Sequence, residues 1–264
     1  MMGSPNSRHS PPIFAVAFRL VLWVQIGLTQ AHLASTMPIS PLENEFLAKL
    51  PGPDYDQLRL SLQAVLLKKG QVLYAQGSLP DMIYFPVSTV VSFFVELSDG
   101  YSIEAVTFGR ESIVGAAIPK AGSVGTMRIR EEGVAYKIST ANFNENLLKI
   151  VSISQAASHF YVTIIEMMMR NIACVSHHRL SQQLIRWILH TLDSTQSTTI
   201  LFSHAELGMM LGVRREAISL ALNELYLLNA VLLKRNRVEV LDRSLLETMV
   251  CECYRLAYAP SNVH

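Results

Sequence analysis

Between residues 141 and 192 the chain contains neither glycine nor proline. A run of that length without a backbone breaker exceeds any ordinary strand and is satisfied by helix. Within it, apolar or small residues recur at Phe160, Ile164, Met167, Cys174, Ile185, Ile188 and Leu192, at spacings built from threes and fours. That period places them on one stripe of a long helix, interrupted by Asn171, His178 and Ser181. Two packings satisfy such a stripe: the helix lies on its own domain, or it pairs with a second copy. A single helix much longer than 25 residues favours the pair. Phe160, Ile164, Met167 and Cys174 are therefore the expected dimer seam, and a break near His177 would leave two helices instead of one.

Upstream the period is different. Residues 58–139 read as short β-rich runs, "QVLYAQG", "MIYFPVSTVVSFFVEL", "YSIEAVTFG" and "MRIREEGVAYKI", separated by glycine punctuation. Ser98-Asp99-Gly100 is the sharpest turn signal, because Asp-Gly supplies the positive φ of a tight hairpin. The pattern predicts an antiparallel barrel or jelly roll. Pro86 has no amide hydrogen to give a ladder, so it belongs at an edge or a bend.

Downstream, the loop-like "DSTQSTT" is followed by "SHAELGMMLGVRREAISLALNEL" and "AVLLKRNRVEVL". Ser203 and Glu206 have the spacing of a capping box. Leu207, Met210 and Leu211 give the helix that follows one apolar face, and Gly212 stands where the chain must turn sharply. Ile218, Ala221, Leu222, Leu225 and Leu228 repeat at three and four in a second helix and are expected to face inward. Two β-like pieces then flank Arg235-Asn236, where asparagine tolerates a left-handed tip. Helix, turn, helix, hairpin is the order of a winged helix-turn-helix.

The inward residues leave Arg215, Glu216, Ser219, Leu220 and Asn223 outside. This face has the chemistry of a major-groove reader. An arginine fork can take guanine O6 and N7, a glutamate can accept from the cytosine amino group, and an apolar side chain can touch a thymine methyl. Arg214, Lys234, Arg235 and Arg237 would add phosphate contacts, which position without specifying sequence. Net charge over the 264 residues is only +1, so any such surface must be a local patch and not a global field.

The three cysteines, Cys174, Cys251 and Cys253, are too few and too scattered for a disulfide scaffold and suit a reducing cytoplasm. Cys251 and Cys253 bracket one glutamate, and no further Cys or His cluster lies near them in sequence; no metal site is expected. The first 36 residues hold Arg8 and Arg19 and no acidic residue. Their "IFAVAFRLVLWVQIGL" is short for a membrane span, which needs about 20 residues, and carries Arg19 within what would be the apolar core of an export signal. The expectation is that Met37 opens the functional chain and that residues 1–37 are an extension.

On these residues the C-terminal part resembles the Crp/Fnr family of bacterial transcription regulators, most specifically in "SHAELGMMLGVRREAISLALNEL". The resemblance extends from about residue 58 to 246. It implies an α+β chain: an antiparallel β jelly-roll barrel like a cyclic-nucleotide-binding domain (38–145), a long dimerisation helix (146–193) and a winged helix-turn-helix (194–264). Arg215 and Glu216 match the family's recognition helix, but Leu220 stands where the family carries a further arginine, so the methyl contact replaces a guanine contact there. The effector cassette is similar to "FGRESIVGAAIPKAGSVGTMRIR", with Gly109 and Gly115 keeping its turns. Ile113 falls at the glutamate position for the ribose and Ser123 near the arginine position for the cyclic phosphate, leaving Arg128 or Arg130 as substitutes. A phosphate buried without its partner is costly. Binding of a cyclic nucleotide in the family's manner is therefore disfavoured, and no cofactor is expected.

The iron–sulfur type of sensor in this family needs four thiolates, and the chain has three. His159, His177, His178 and Cys174 are on hand for haem, yet adjacent histidines project about 100° apart on a helix. No nucleotide loop, metal spacing or nucleophile motif points to an enzyme. The expected partners are double-stranded DNA and a second copy of the chain, with RNA polymerase and an unidentified small-molecule effector as candidates that the resemblance implies. A membrane-tethered or stand-alone ligand-binding sensor is the alternative that the N-terminal segment keeps open.

Overall fold

The computed structural model describes residues 39–98, 100–116, 122–195 and 198–256. The segment up to Met37 and Asp99 of the predicted hairpin tip lie outside the described residues.

A 3-10 turn at Pro41–Glu43 leads into α1 (Glu45–Ala48) and α2 (Gly52–Arg59). Asn44 caps α1 by accepting from the Leu47 amide, and its own side-chain amide donates to the carbonyls of Pro86 at 2.8 Å and Ser112 at 3.0 Å. All of Asn44 is buried, so its hydrogen-bonding capacity is met while it fastens the first helices to the strands.

Seven strands follow: β1 (Gln63–Leu67), β2 (Val72–Tyr74), β3 (Met82–Pro86), β4 (Val90–Glu96), β5 (Ser102–Phe108), β6 (Thr126–Glu131) and β7 (Gly133–Ser139). They form two antiparallel sheets, ordered β1-β7-β3 and β2-β6-β4-β5. The period of two in β5 sends Glu104, Val106 and Phe108 inward. Phe85, Ile83, Leu67, Ile113, Ile129 and Ile138 fill the space between the sheets. Pro86 ends β3, an edge strand, where its missing donor breaks no ladder.

The glycine-free stretch is three helices. α3 (Thr140–Lys149) starts on a Ser139 cap, and α4 (Val151–His177) leaves it at a bend of 110°. α4 stops at His178, whose backbone is extended at φ −95 and ψ 153. α5 (Leu180–Thr195) then begins a different core. Its Leu184, Ile185, Trp187, Ile188, Leu189 and Leu192 pack with Ile200, Phe202, Leu207, Leu222 and Val238. The helix expected to run to residue 193 ends at 177, and the apolar stripe of α5 packs within the C-terminal domain instead.

That domain continues through β8 (Thr199–Leu201), α6 (His204–Leu211), α7 (Arg215–Leu227), the hairpin β9 (Val231–Lys234) and β10 (Arg237–Val240), α8 (Arg243–Met249) and α9 (Cys253–Leu256). β8 was not anticipated; it adds to the hairpin to give a sheet ordered β8-β10-β9. No single helix among the described residues is long and apolar enough to cross a membrane.

Candidate nucleic-acid interface

The turn between α6 and α7 is built as its residues dictate. The Ser203 hydroxyl accepts from the Glu206 amide at 3.2 Å, and the Glu206 carboxylate accepts from the Ser203 amide at 2.6 Å, a closed capping box. Gly212 ends α6 at φ 63 and ψ 35, a left-handed conformation in which a Cβ is strained. A Cβ there would also lie 2.9 Å from Cδ1 of Ile103, so the turn is pressed against strand β5. The Val213 amide returns to the Gly208 carbonyl at 2.9 Å and fixes the exit toward α7.

α7 buries Ile218, Ala221, Leu222 and Leu225, four of the five residues expected to face inward. Leu228 departs from that expectation: it is the C-cap residue, past the last full turn, and stands half exposed. With the inner row fixed, Arg215, Glu216, Leu220 and Asn223 are exposed, Leu220 at 70%. Ser219 is half-buried instead: its hydroxyl donates to the Arg215 carbonyl at 3.1 Å and lies 2.8 Å from Nδ1 of His204. His204 thus ties α6 to α7 and holds the two helices at their angle. The helix N-terminus beside Arg214 and Arg215 adds its own positive end to that face.

The hairpin tip is Arg235-Asn236, with Asn236 at φ 53. Lys234 and Arg237 both approach the Glu239 carboxylate, at 3.2 and 3.5 Å, and Arg237 also donates to Thr199 at 3.3 Å. Arg214 and Arg235 are exposed and make no ion pair among the described residues. The basic residues of the wing are thus split, two carrying a carboxylate partner and one presented outward.

The stretch expected to form an effector cassette is partly built into the barrel core. Ile113, at the position of a ribose-binding glutamate, is buried in the barrel core. The Ser123 hydroxyl is buried and donates to the Gly125 carbonyl at 2.6 Å. Gly109 donates its amide to Glu111, and Gly115, at φ 97, packs on the Tyr74 ring. Arg128 lies over the Phe94 ring at 5.6 Å, on a cleft of about 340 Å³ that reaches Trp187 and Met210 of the C-terminal domain. Arg130 is the buried arginine, but it faces Glu104 at 3.6 Å and the Trp187 ring at 5.3 Å. Residues 117–121 of the cassette lie outside the described residues.

Along α4 the structure separates two apolar rows. Phe160, Ile164 and Met167, the expected seam, pack on the barrel core, and Cys174 is buried beside Cys251, Sγ to Sγ 3.6 Å. Burial pushes the Cys174 thiol up to about 12, against the opposing pull of the Arg186 guanidinium. The exposed row is Val162, Ile165, Met169 and Ile172, spaced three, four and three. Of the residues considered for haem, His159 and His177 are exposed.

The family comparison falls on this same C-terminal stretch: the chain matches the Crp-like helix-turn-helix domain over residues 179–249. The Crp-like domain starts one residue after the break at His178 and takes α5 as its first helix, in agreement with the second core. The fold of the described chain is that of Crp/Fnr regulators. A transcriptional regulator of the crp/fnr family from Eubacterium rectale superposes with a TM-score of 0.64 at 16% identity, covering 80% of this chain and 97% of that one. FixK2 from Bradyrhizobium japonicum gives 0.59 at 13%, covering 72% and 98%. The c-di-GMP responsive global regulator CLP from Xanthomonas campestris gives 0.59 at 17%, covering 72% and 99%. No curated protein matches the sequence.

Proposed function

We propose that the protein is a sequence-specific DNA-binding transcription regulator that acts as a homodimer, with α7 as the helix that enters the major groove. One observation carries this reading: on a helix fixed by the capping box, the Gly212 turn and the His204–Ser219 contact, the outward residues are Arg215, Glu216, Leu220 and Asn223, a set able to read base edges. Ser219, drawn toward His204, serves to place the helix and keeps only a partial path to a base. Arg214 and Arg235 take phosphates directly. Lys234 and Arg237 exchange a surface carboxylate, a contact worth little, for phosphate oxygens.

The dimer seam belongs to the exposed row Val162, Ile165, Met169 and Ile172, because the row first expected there is occupied by the barrel. Three-four-three spacing is the seam of a two-stranded coiled coil. Two α7 helices related by such an axis would meet successive major grooves about 34 Å apart, on a roughly palindromic site. The related regulators support a barrel that senses, but an apolar Ile113 and a self-satisfied Ser123 argue against a cyclic nucleotide held in the family's usual manner. Effector identity therefore stays with the barrel's own chemistry.

Capture of genomic fragments by the purified protein tests the reading. A sharply enriched, roughly palindromic motif is expected; enrichment without any common motif would overturn sequence-specific recognition.

A further inference from the structure

We propose that Cys174, His178, Cys251 and Cys253 form a closed tetrahedral site for a thiolate-binding divalent metal ion, with zinc as the ion whose chemistry fits best. The four residues come from two places far apart in sequence. Cys174 lies in the last turn of α4 and His178 is its cap residue, while Cys251 and Cys253 flank the start of α9. One ligand atom from each lies within 4.8 Å of every other.

Two of the separations match those of a single ion's coordination shell. Zinc–sulfur bonds of about 2.3 Å and zinc–nitrogen bonds of about 2.0–2.1 Å at tetrahedral angles put sulfurs about 3.8 Å apart and sulfur and nitrogen about 3.5 Å apart. Cys174 Sγ stands 3.6 Å from Cys251 Sγ, and Cys253 Sγ stands 3.7 Å from His178 Nδ1. A multinuclear cluster would hold its thiolates much further apart. Three thiolates and an imidazole are also a common structural zinc set, and all four positions of the tetrahedron are filled by protein.

The surroundings repeat the logic. With Nδ1 turned to the cysteines, His178 presents Nε2 to the Glu252 carboxylate at 3.2 Å. A carboxylate on the far nitrogen fixes the tautomer in which Nδ1 carries the lone pair and raises its basicity toward a metal. The three cysteines are at most 6% exposed and form a small cluster of their own, apart from the two domain cores. As thiolates they would be untenable there without a cation. Two pairs of residues that arrive from distant parts of the chain, one member already oriented by a carboxylate, have no comparable reason to converge if they only fill space.

The position gives the ion a structural task. His178 is the break between α4 and α5, and all four ligands lie just outside residues 179–249 of the Crp-like domain. An ion bound here ties both ends of that domain to the end of α4 and so fixes the angle at which α7 is presented. The site stands whether or not α7 reads DNA.

Full-length protein without an affinity tag, kept reduced and loaded with zinc, is assayed by elemental analysis and thiol titration. About one zinc per chain is expected, released together with reactive thiols by a strong chelator, with a fall in melting temperature. Cobalt(II) is expected to give the intense visible bands of a tetrahedral thiolate site. Cys253→Ser should lose the metal, and Glu252→Gln, a change at an exposed residue that leaves the fold intact, should weaken affinity roughly 10–100-fold at unchanged stoichiometry. Absence of zinc from the reduced protein, weak octahedral cobalt bands, full retention of metal in Cys253→Ser, unchanged affinity in Glu252→Gln or a Cys174–Cys251 disulfide in place of metal would each overturn the proposal.

Discussion

Trp187 donates its indole N–H to the Glu104 carboxylate at 3.1 Å, joining the first helix of the Crp-like domain to strand β5 of the barrel. Arg130 pairs with the same carboxylate at 3.6 Å, lies over the Trp187 ring and donates to Thr191 at 3.3 Å. Ser92 donates to Glu104 from the neighbouring strand. The side chains of Glu104 and Arg130 are each 6% exposed, so neither charge has water to fall back on.

Removing one member of a buried pair leaves the other uncompensated, at about 3–5 kcal/mol. Glu104→Ala is therefore expected to lower the urea midpoint steeply, and Glu104→Gln, which keeps one acceptor oxygen for Trp187 and can donate its NH2 to the Ser92 hydroxyl, to lower it less. Equilibrium denaturation followed by tryptophan fluorescence reads both; equal effects would place the loss in the charge alone and not in packing or hydrogen bonding.

The left-handed backbone at Gly212 makes its own prediction. Gly212→Ala adds a Cβ at φ 63 and presses it on Ile103, and about 1–2 kcal/mol of stability should be lost. Gly212→Asn, which tolerates this region better, should lose less in the same thermal melts.

The two apolar rows of α4 separate association from folding. Ile165→Glu puts a charge in the proposed seam and should shift sedimentation from dimer toward monomer by tenfold or more in the dissociation constant, about 1.4 kcal/mol per decade, with little change in melting of the monomer. Phe160→Ala should do the reverse, losing about 3–5 kcal/mol of barrel stability while leaving association intact.

Burial, reinforced by the Arg186 and Arg130 cations, lowers His190 from its ordinary 6.5 to about 4. The folded state then binds fewer protons than the unfolded chain between these values. Its contribution is complete above pH 6.5 and is lost as pH falls toward 4, on the order of 3 kcal/mol in total. Denaturation midpoints across that window should flatten in His190→Gln.

Much of the helix-turn-helix half was legible in the sequence because its determinants are local. Ser203 and Glu206, the glycine at 212 and Asn236 each act within four residues of themselves, and their geometry follows from backbone chemistry alone. The proposed seam was not legible. Phe160 and Ile165 both belong to apolar rows on one helix, and which row meets the barrel is decided by strands more than 50 residues upstream in the chain. The same limit hid the convergence of Cys174 and Cys251, whose separation in sequence is 77 residues. Leu228 kept the inward period, but the helix ended before the period could bury it.

The most direct measurement compares Arg215→Ala with the wild type on two duplexes, the selected palindromic site and an unrelated sequence of equal length, by fluorescence anisotropy over a salt series. Loss of about 1–3 kcal/mol on the selected site, roughly 10–100-fold, is predicted, with binding to the unrelated duplex nearly unchanged and a steep fall of log affinity with log salt on both. Equal losses on the two duplexes, or none on either, would contradict base reading by α7.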